Sequence, residues 1–287
     1  MLSRYGSAME PDAPRSDASR VSYAPTPGSP VVLVIETTGS VCAAALRDDR
    51  GMQAARSPVL ERGHAERIVD VCAETLSDAG AGWADLTHVA VCTGPGTFAG
   101  LRAGVAAARG LALSLAIPAV GVTAFEALAA AWTKERADPD TRERVDDGAA
   151  SSVVVAMDLR RGRIGAQRFD AGVAVGEPIT TDAEGVLALA AGDRFAPRRA
   201  APPSSPAPII GSAMMAVGGA AFCKGDGWRA PDTRGVALAA LGLISTGDAP
   251  PAVPLYLRDA DAAPARPPVA RAGVSPDRPH PAEGSVA

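Results

Sequence analysis

Apolar residues fall into short runs separated by small polar turns along most of the chain. VVLVIETTGSVCAAALRDD (31–49) sets five apolar residues ahead of an acid and two threonines, after which VCAAAL returns. Runs of this length bounded by turn residues predict a buried strand, a turn and a second strand. A comparable unit recurs roughly 120 residues later in SSVVVAMDLRRGRIGAQRFD, with Asp158 in the place of Glu36. Two strand-acid-turn-strand units predict two related lobes.

Between them, GHAERIVDVCAETLSDAG spaces its apolar residues near the helical period, placing His64, Ile68, Val71, Cys72 and Thr75 on one side. Gly80 and Gly82 end that helix. LTHVAVCTG predicts a strand that runs into a glycine-rich loop. A helix over 101–115 follows, with Ala103, Ala106, Ala107, Gly110 and Ala112 small enough for close packing. Pro118 ends it, IPAVGV reads as a strand, and TAFEALAAAW opens a helix capped by Thr123. Further on come a helix over 183–191, a strand in PIIGSA, a helix in RGVALAALGLIS and the segment PLYLRDADA. Strands alternating with helices predict an α/β architecture with mixed sheets and a cleft between the lobes.

Composition narrows the function classes. The 287 residues are 47% hydrophobic, enough for a substantial core, and the net charge of −4 leaves no basic excess for an autonomous nucleic-acid binder. Any RNA contact needs a local patch or a partner. Cys42, Cys72, Cys92 and Cys223 form no CxxC pair, which fits neither a zinc site nor a disulfide framework and suits a reducing cytosol. The first twenty residues lack the apolar stretch of a signal peptide. The apolar span 103–122 carries Arg109 at its middle and reads as a buried helix, not a membrane segment. The charged run 133–148 reads as a solvated connector. The expected organisation is a disordered extension (1–30), a first, partner-binding lobe (31–120), a second lobe (121–248), and the PLYLR segment with a Pro/Ala-rich tail (249–287).

The candidate chemistry lies at the strand ends. In CTGPGTFAGLRAG (92–104), glycines could converge backbone N–H groups on an anion ahead of a helix N-terminus, with Gly94, Gly96 and Thr97 as candidates. The loop lacks the lysine of a P-loop, and a structural turn is the competing reading. Glu36, with Thr37 and Thr38, could position a metal-bound water and a phosphate, or be a turn acid satisfied by backbone N–H groups. Asp158 and Gly211 carry the same alternatives in the second lobe. The three histidines, His64, His88 and His280, form no i, i+4 pair, and no nucleophile-base spacing is readable.

The segments IETTGSVCAAAL, GHAERIVDVCAETL, CTGPGTFAGLRAGVAAARGLA, MDLRRGRIGAQRF and PLYLR, in that order over 31–258, resemble the TsaB (YeaZ) family. GPGTFAGLR is similar to that family's GPGSFTGLR, and PLYLR to its PVYLR. The resemblance implies an actin-like ATPase fold of two RNase-H-like lobes and a role in forming threonylcarbamoyladenosine beside the anticodon of tRNA. It implies a non-catalytic, cytoplasmic subunit that pairs with the catalytic paralogue TsaD, with the ATPase TsaE as a further partner and tRNA reached only through the complex. A homodimer in isolation is also expected. No cofactor is required, and weak or shared adenine-nucleotide binding is the vestige the cleft residues could retain. The paralogue's metal-binding HxxxH pair is reduced here to His64, with Ile68 at the second position. Since family members pair through helices of the first lobe, the stripe His64, Ile68, Val71, Cys72 and Thr75 becomes the expected interface, with Val69 and Leu76 left for the core. Ile68→Glu is then expected to abolish partner binding and leave the fold intact. Glu36 in place of the usual Asp, and Ala99 in place of the usual Thr, weaken the nucleotide reading. The competing classes are a stand-alone nucleotide-dependent transferase or kinase of the same superfamily and, third, a peptidase.

Overall fold

Every residue of β1 (Val32–Glu36) is buried, because the strand lies inside a sheet covered on both faces. The structure is a computed structural model describing residues 23–137, 152–192, 206–217 and 230–257. β1 pairs antiparallel with β2 (Ala43–Asp48) and parallel with β4 (His88–Cys92). β3 (Gly51–Arg56) and β5 (Ala119–Val122) complete the order β3-β2-β1-β4-β5. The second sheet has the order β8-β7-β6-β9 and is formed by β6 (Ser152–Asp158), β7 (Ile164–Asp170), β8 (Val173–Thr181) and β9 (Ile209–Ile210).

The two sheets repeat one plan. Each has an antiparallel three-strand meander, a helix, and a strand parallel to the first, followed by another helix. These helices are α1 (His64–Asp78) and α2 (Phe98–Leu115) in the first lobe, α4 (Ala183–Ala191) and α5 (Met214–Val217) in the second. The duplicated hairpin of the sequence is therefore a duplicated lobe. Two further helices, α3 (Ala124–Ala137) and α6 (Thr233–Thr246), pack on each other between the sheets.

Strand side chains alternate between faces, which fixes the layers. Leu33, Ile35, Leu46 and Val91 meet Ile68, Val71, Cys72 and Leu101 from α1 and α2. Val32, Val34, Ala90 and Val122 face the other way, into a cluster with Phe125 and Leu128 of α3 and Val236 and Ala240 of α6; Val153, Val155 and Phe169 of the second sheet join it. The outer face of that sheet is closed by Val186 and Leu189 of α4 and Val217 of α5. The layers thus run helix, sheet, helix, sheet, helix. This explains the continuous apolar runs of β1 and β6, since both faces of each are covered.

The structure corrects several boundaries. β5 crosses the lobe boundary expected at 120/121 and belongs wholly to the first sheet, while α6, expected in the second lobe, also packs on β1, β2, β4 and β5. Part of the expected disordered extension is docked: the Tyr23 hydroxyl donates to Asp48 Oδ2 at 3.0 Å. Residues 1–22 and 258–287 lie outside the described residues. α3 continues to Ala137, into the charged run, the rest of which lies outside them too. Thr123 caps α3 as expected: its hydroxyl accepts from Glu126 N at 3.1 Å, and the Glu126 carboxylate accepts from Thr123 N at 2.7 Å.

Candidate functional site

The glycine-rich stretch after β4 folds back onto the turn after β1. Thr97 N donates to Thr38 O at 2.7 Å, and Thr37 Oγ1 donates to Gly100 O at 2.7 Å. Gly96, Gly100 and Gly104 recur every four residues and turn one bare side toward Thr37 and Thr38. A Cβ on Gly96 would lie 2.6 Å from Thr38 O, one on Gly100 would collide with Thr37 O, and one on Gly104 would collide with Thr37 Oγ1. The space these glycines leave is filled by protein. Gly94, two residues past β4 and at φ +98°, makes a cis bond to Pro95, and its carbonyl accepts from Ala124 N at 2.7 Å, which ties the loop to α3. Gly96, Thr97, Phe98 and Ala99 remain exposed.

Glu36 sits beneath this junction. Its Oε1 accepts from Thr38 N at 2.6 Å and from Thr38 Oγ1 at 2.5 Å, so Glu36 and Thr38 close a local turn. Oε2 is buried and has no partner at hydrogen-bonding distance. Burial pushes the carboxyl above the usual range, against the opposing pull of Thr38 and the adjacent Cys92 thiol; the charge of Asp232 at the start of α6 adds to the rise. Burial and the neighbouring Glu36 likewise raise the Cys92 thiol. A raised folded-state pKa means stability is full below the ordinary glutamate pKa and declines as pH rises through the raised value. Glu36→Gln keeps the Oε1 acceptor and removes the charge. Its Tm is expected to match wild type in acid and to exceed it by a few degrees at mildly alkaline pH, as read by thermal melts over a pH series.

The second lobe repeats the turn with a different environment. Asp158 Oδ1 accepts from Arg160 N at 2.7 Å, the same two-residue reach that Glu36 makes to Thr38. Gly211, at φ +107°, lets the loop after β9 rest on the Ala156 backbone, and Ser212 Oγ accepts from Asp158 N at 2.8 Å. Asp158 is exposed where Glu36 is buried. Both turn acids thus close the turn after the first strand of their lobe, and of the two Glu36 alone keeps a buried oxygen unpaired.

The expected interface stripe on α1 is corrected. Ile68, Val71, Cys72 and Thr75 are buried in their own lobe, and Thr75 Oγ1 donates back to Val71 O at 2.7 Å. Leu76 joins the core as expected, whereas Val69, also assigned to the core, is 46% exposed. The helix turns by one position relative to the sequence expectation, because the sheet takes the more apolar side. His64 is half-buried at the helix start. Among the described residues no three His, Cys, Asp or Glu side chains are grouped to hold a metal ion.

One feature of the site was not singled out from the sequence. Residues 250–257 run across both lobes: Gly121 N donates to Pro250 O at 2.9 Å, Leu255 N to Thr93 O at 2.8 Å, and Thr180 Oγ1 to Leu257 O at 3.3 Å. The PLYLR segment thereby brings Tyr256 to the start of α2, joining two motifs that lie 154 residues apart in the sequence.

Two lobes of one topology, joined through a helical layer and by this crossing segment, define a two-lobed α/β protein with mixed sheets. The family model for TsaD, tRNA N6-adenosine threonylcarbamoyltransferase, matches residues 58–214, and the chain belongs to that family, in its TsaB (YeaZ) branch. The tRNA threonylcarbamoyladenosine biosynthesis protein TsaB of Escherichia coli is 31% identical over 134 residues, which cover 46% of this chain and 52% of that protein. A tRNA N6-adenosine threonylcarbamoyltransferase of Cereibacter sphaeroides is 46% identical over 65 residues, covering 22% of this chain and 18% of that protein. The chain is thus matched to about half the length of its TsaB relative. In fold it is similar to YeaZ from Pseudomonas aeruginosa, with a TM-score of 0.61 at 21% identity, over 79% of this chain and all of that one.

Proposed function

We propose that this chain is a non-catalytic subunit of the machinery that forms threonylcarbamoyladenosine in tRNA, acting in the cytoplasm as the scaffold of a TsaD-like catalytic chain. The observation that carries this reading is the state of α1. Where a metal-binding pair needs a second histidine, Ile68 stands instead, 1% exposed and turned into the lobe's own core. The glycine loop supports the same reading, because its bare side is occupied by Thr37 and Thr38 and not open to a phosphate. No cofactor is required in this role, and any adenine nucleotide is held weakly or shared with the partner. A TsaE-like ATPase is the further partner.

The docking face for the catalytic chain is the outer side of α1 and α2. There Val69 and Leu113, 46% and 84% exposed, stand with Ala65, Ala73, Ala106 and Gly110, an unpartnered surface of small and apolar residues. Without the partner, the same face pairs with a second copy. Val69→Glu combined with Leu113→Glu is expected to abolish co-purification with the TsaD-like chain and to leave the melting temperature within about a degree or two of wild type, as exposed substitutions do. Undiminished co-purification would move the interface elsewhere. ATP hydrolysis or threonylcarbamoyl transfer by the isolated chain would support the competing reading, a stand-alone transferase or kinase.

A further inference from the structure

Among the described residues two aromatic rings are exposed, Phe98 at 43% and Tyr256 at 48%, and they touch. Their centroids lie 5.7 Å apart. The Arg102 guanidinium lies 3.8 Å over the Phe98 ring, and its Nε–H donates to the Tyr256 hydroxyl at 3.1 Å. The two rings are tilted by 37° to each other, and with the guanidinium the three side chains form a solvent-facing platform of stacked and edge-on groups. The crossing segment holds it in place through the Leu255 and Leu257 backbone bonds described above. Leu257 also packs near Leu159 and Gly165, at the root of the β6–β7 turn, which carries the exposed Arg160, Arg161 and Arg163. α2 itself contributes the exposed Arg109 and contains no acidic residue. A chain of net charge −4 thus sets Arg102 against these two rings and Arg109 further along the same helix.

Planar rings beside a planar guanidinium, flanked by further arginines, are the groups that take unpaired bases and their phosphates. A nucleic acid carries a phosphate at every nucleotide, so one backbone laid across this surface meets several arginines at once. We infer that the Phe98–Arg102–Tyr256 platform stacks an unpaired base of tRNA, with the arginines of the β6–β7 turn on the adjoining phosphates. This rests on the proposed function for the choice of RNA, and it revises the expectation that tRNA is met only through the partner.

The test is fluorescence anisotropy of a labelled, unmodified tRNA transcript with the full-length chain at low salt. Tyr256→Ala is expected to weaken binding about tenfold, as loss of one base-stacking ring does, while Tyr256→Phe stays within about twofold. Arg160→Glu is expected to weaken binding severalfold and to flatten its salt dependence. Because Tyr256→Ala also loosens the crossing segment, thiouridine-substituted tRNA crosslinked to the wild-type chain supplies an independent readout. Adducts are expected on the peptides holding Phe98 or Tyr256. Absence of wild-type binding, adducts only elsewhere, or folded Tyr256→Ala and Arg160→Glu variants that bind like wild type would each overturn the inference. So would loss of TsaD-like capture by Tyr256→Ala with tRNA affinity unchanged, which would make the platform a protein contact. If capture and tRNA modification persist while platform variants bind tRNA normally, the inference fails and the proposed function stands.

Discussion

Gly100→Ala is expected to destabilise the chain by about 3 kcal/mol or more, the upper end of what overpacking costs. Gly100 lies in the first turn of α2, where alanine is intrinsically favoured over glycine by about 1 kcal/mol. Packing reverses the sign. The added methyl would strike the Thr37 carbonyl oxygen, with the carbonyl carbon at 3.2 Å and Thr97 Oγ1 at 2.7 Å. Two of these neighbours are backbone and cannot swing away. Retreat of the helix would break the Thr37 hydroxyl bond to Gly100 O and the Thr97 bond to Thr38 O. Gly110, on the outer side of the same helix, has nothing within 4 Å of the equivalent point. Gly110→Ala is therefore expected to be neutral or stabilising, by up to about 1 kcal/mol. Urea unfolding of the two variants reads the contrast directly. A Gly100→Ala protein as stable as wild type would mean that the glycine serves a ligand and not the packing of turn on helix.

Ile68→Glu is expected to unfold the protein, contrary to the expectation drawn from the sequence. Ile68 packs among Leu33, Ile35, Val71 and Leu101 in the outer core of the first lobe. A carboxylate there would lose its hydration with no cation in the cluster to meet it, at a cost of about 4 kcal/mol or more. That approaches the whole stability of a typical domain, about 5 to 15 kcal/mol. Ile68→Val, which removes one methylene, is expected to cost only about 1 kcal/mol. The comparison with Val69→Glu, one position along the helix, separates core from surface. Soluble, cooperatively folding Ile68→Glu protein would contradict the assignment of this face.

The lobes were legible because their signals are local. A run such as VVLVIE states both its length and its double burial, and the capping pair Thr123 and Glu126 is a three-residue pattern. α4 falls on the residues expected for it, 183–191. The third strand of each meander was missed, since β3 and β8 are edge strands whose partly exposed residues make no apolar run. α1 was recognised, yet its inward side was assigned to the partner. A helix with apolar residues on more than one side leaves that choice to the sheet it meets, which the sequence of the helix does not contain. The glycine loop kept two readings for the same reason. Whether Gly96, Gly100 and Gly104 face an anion or a backbone depends on Thr37 and Thr38, some sixty residues away, and only the fold brings them together. The same holds for Phe98, Arg102 and Tyr256.

The central claim is that this chain enables a catalytic partner and performs no transfer itself. It is tested most directly by reconstituting threonylcarbamoyladenosine formation on an unmodified tRNA, with threonylcarbamoyl-adenylate, the cognate TsaD-like chain and the TsaE-like ATPase, with and without this protein. Modified nucleoside is expected only when both this chain and the TsaD-like chain are present. Full modification without this chain, or modification by this chain in the absence of the TsaD-like one, would contradict the account.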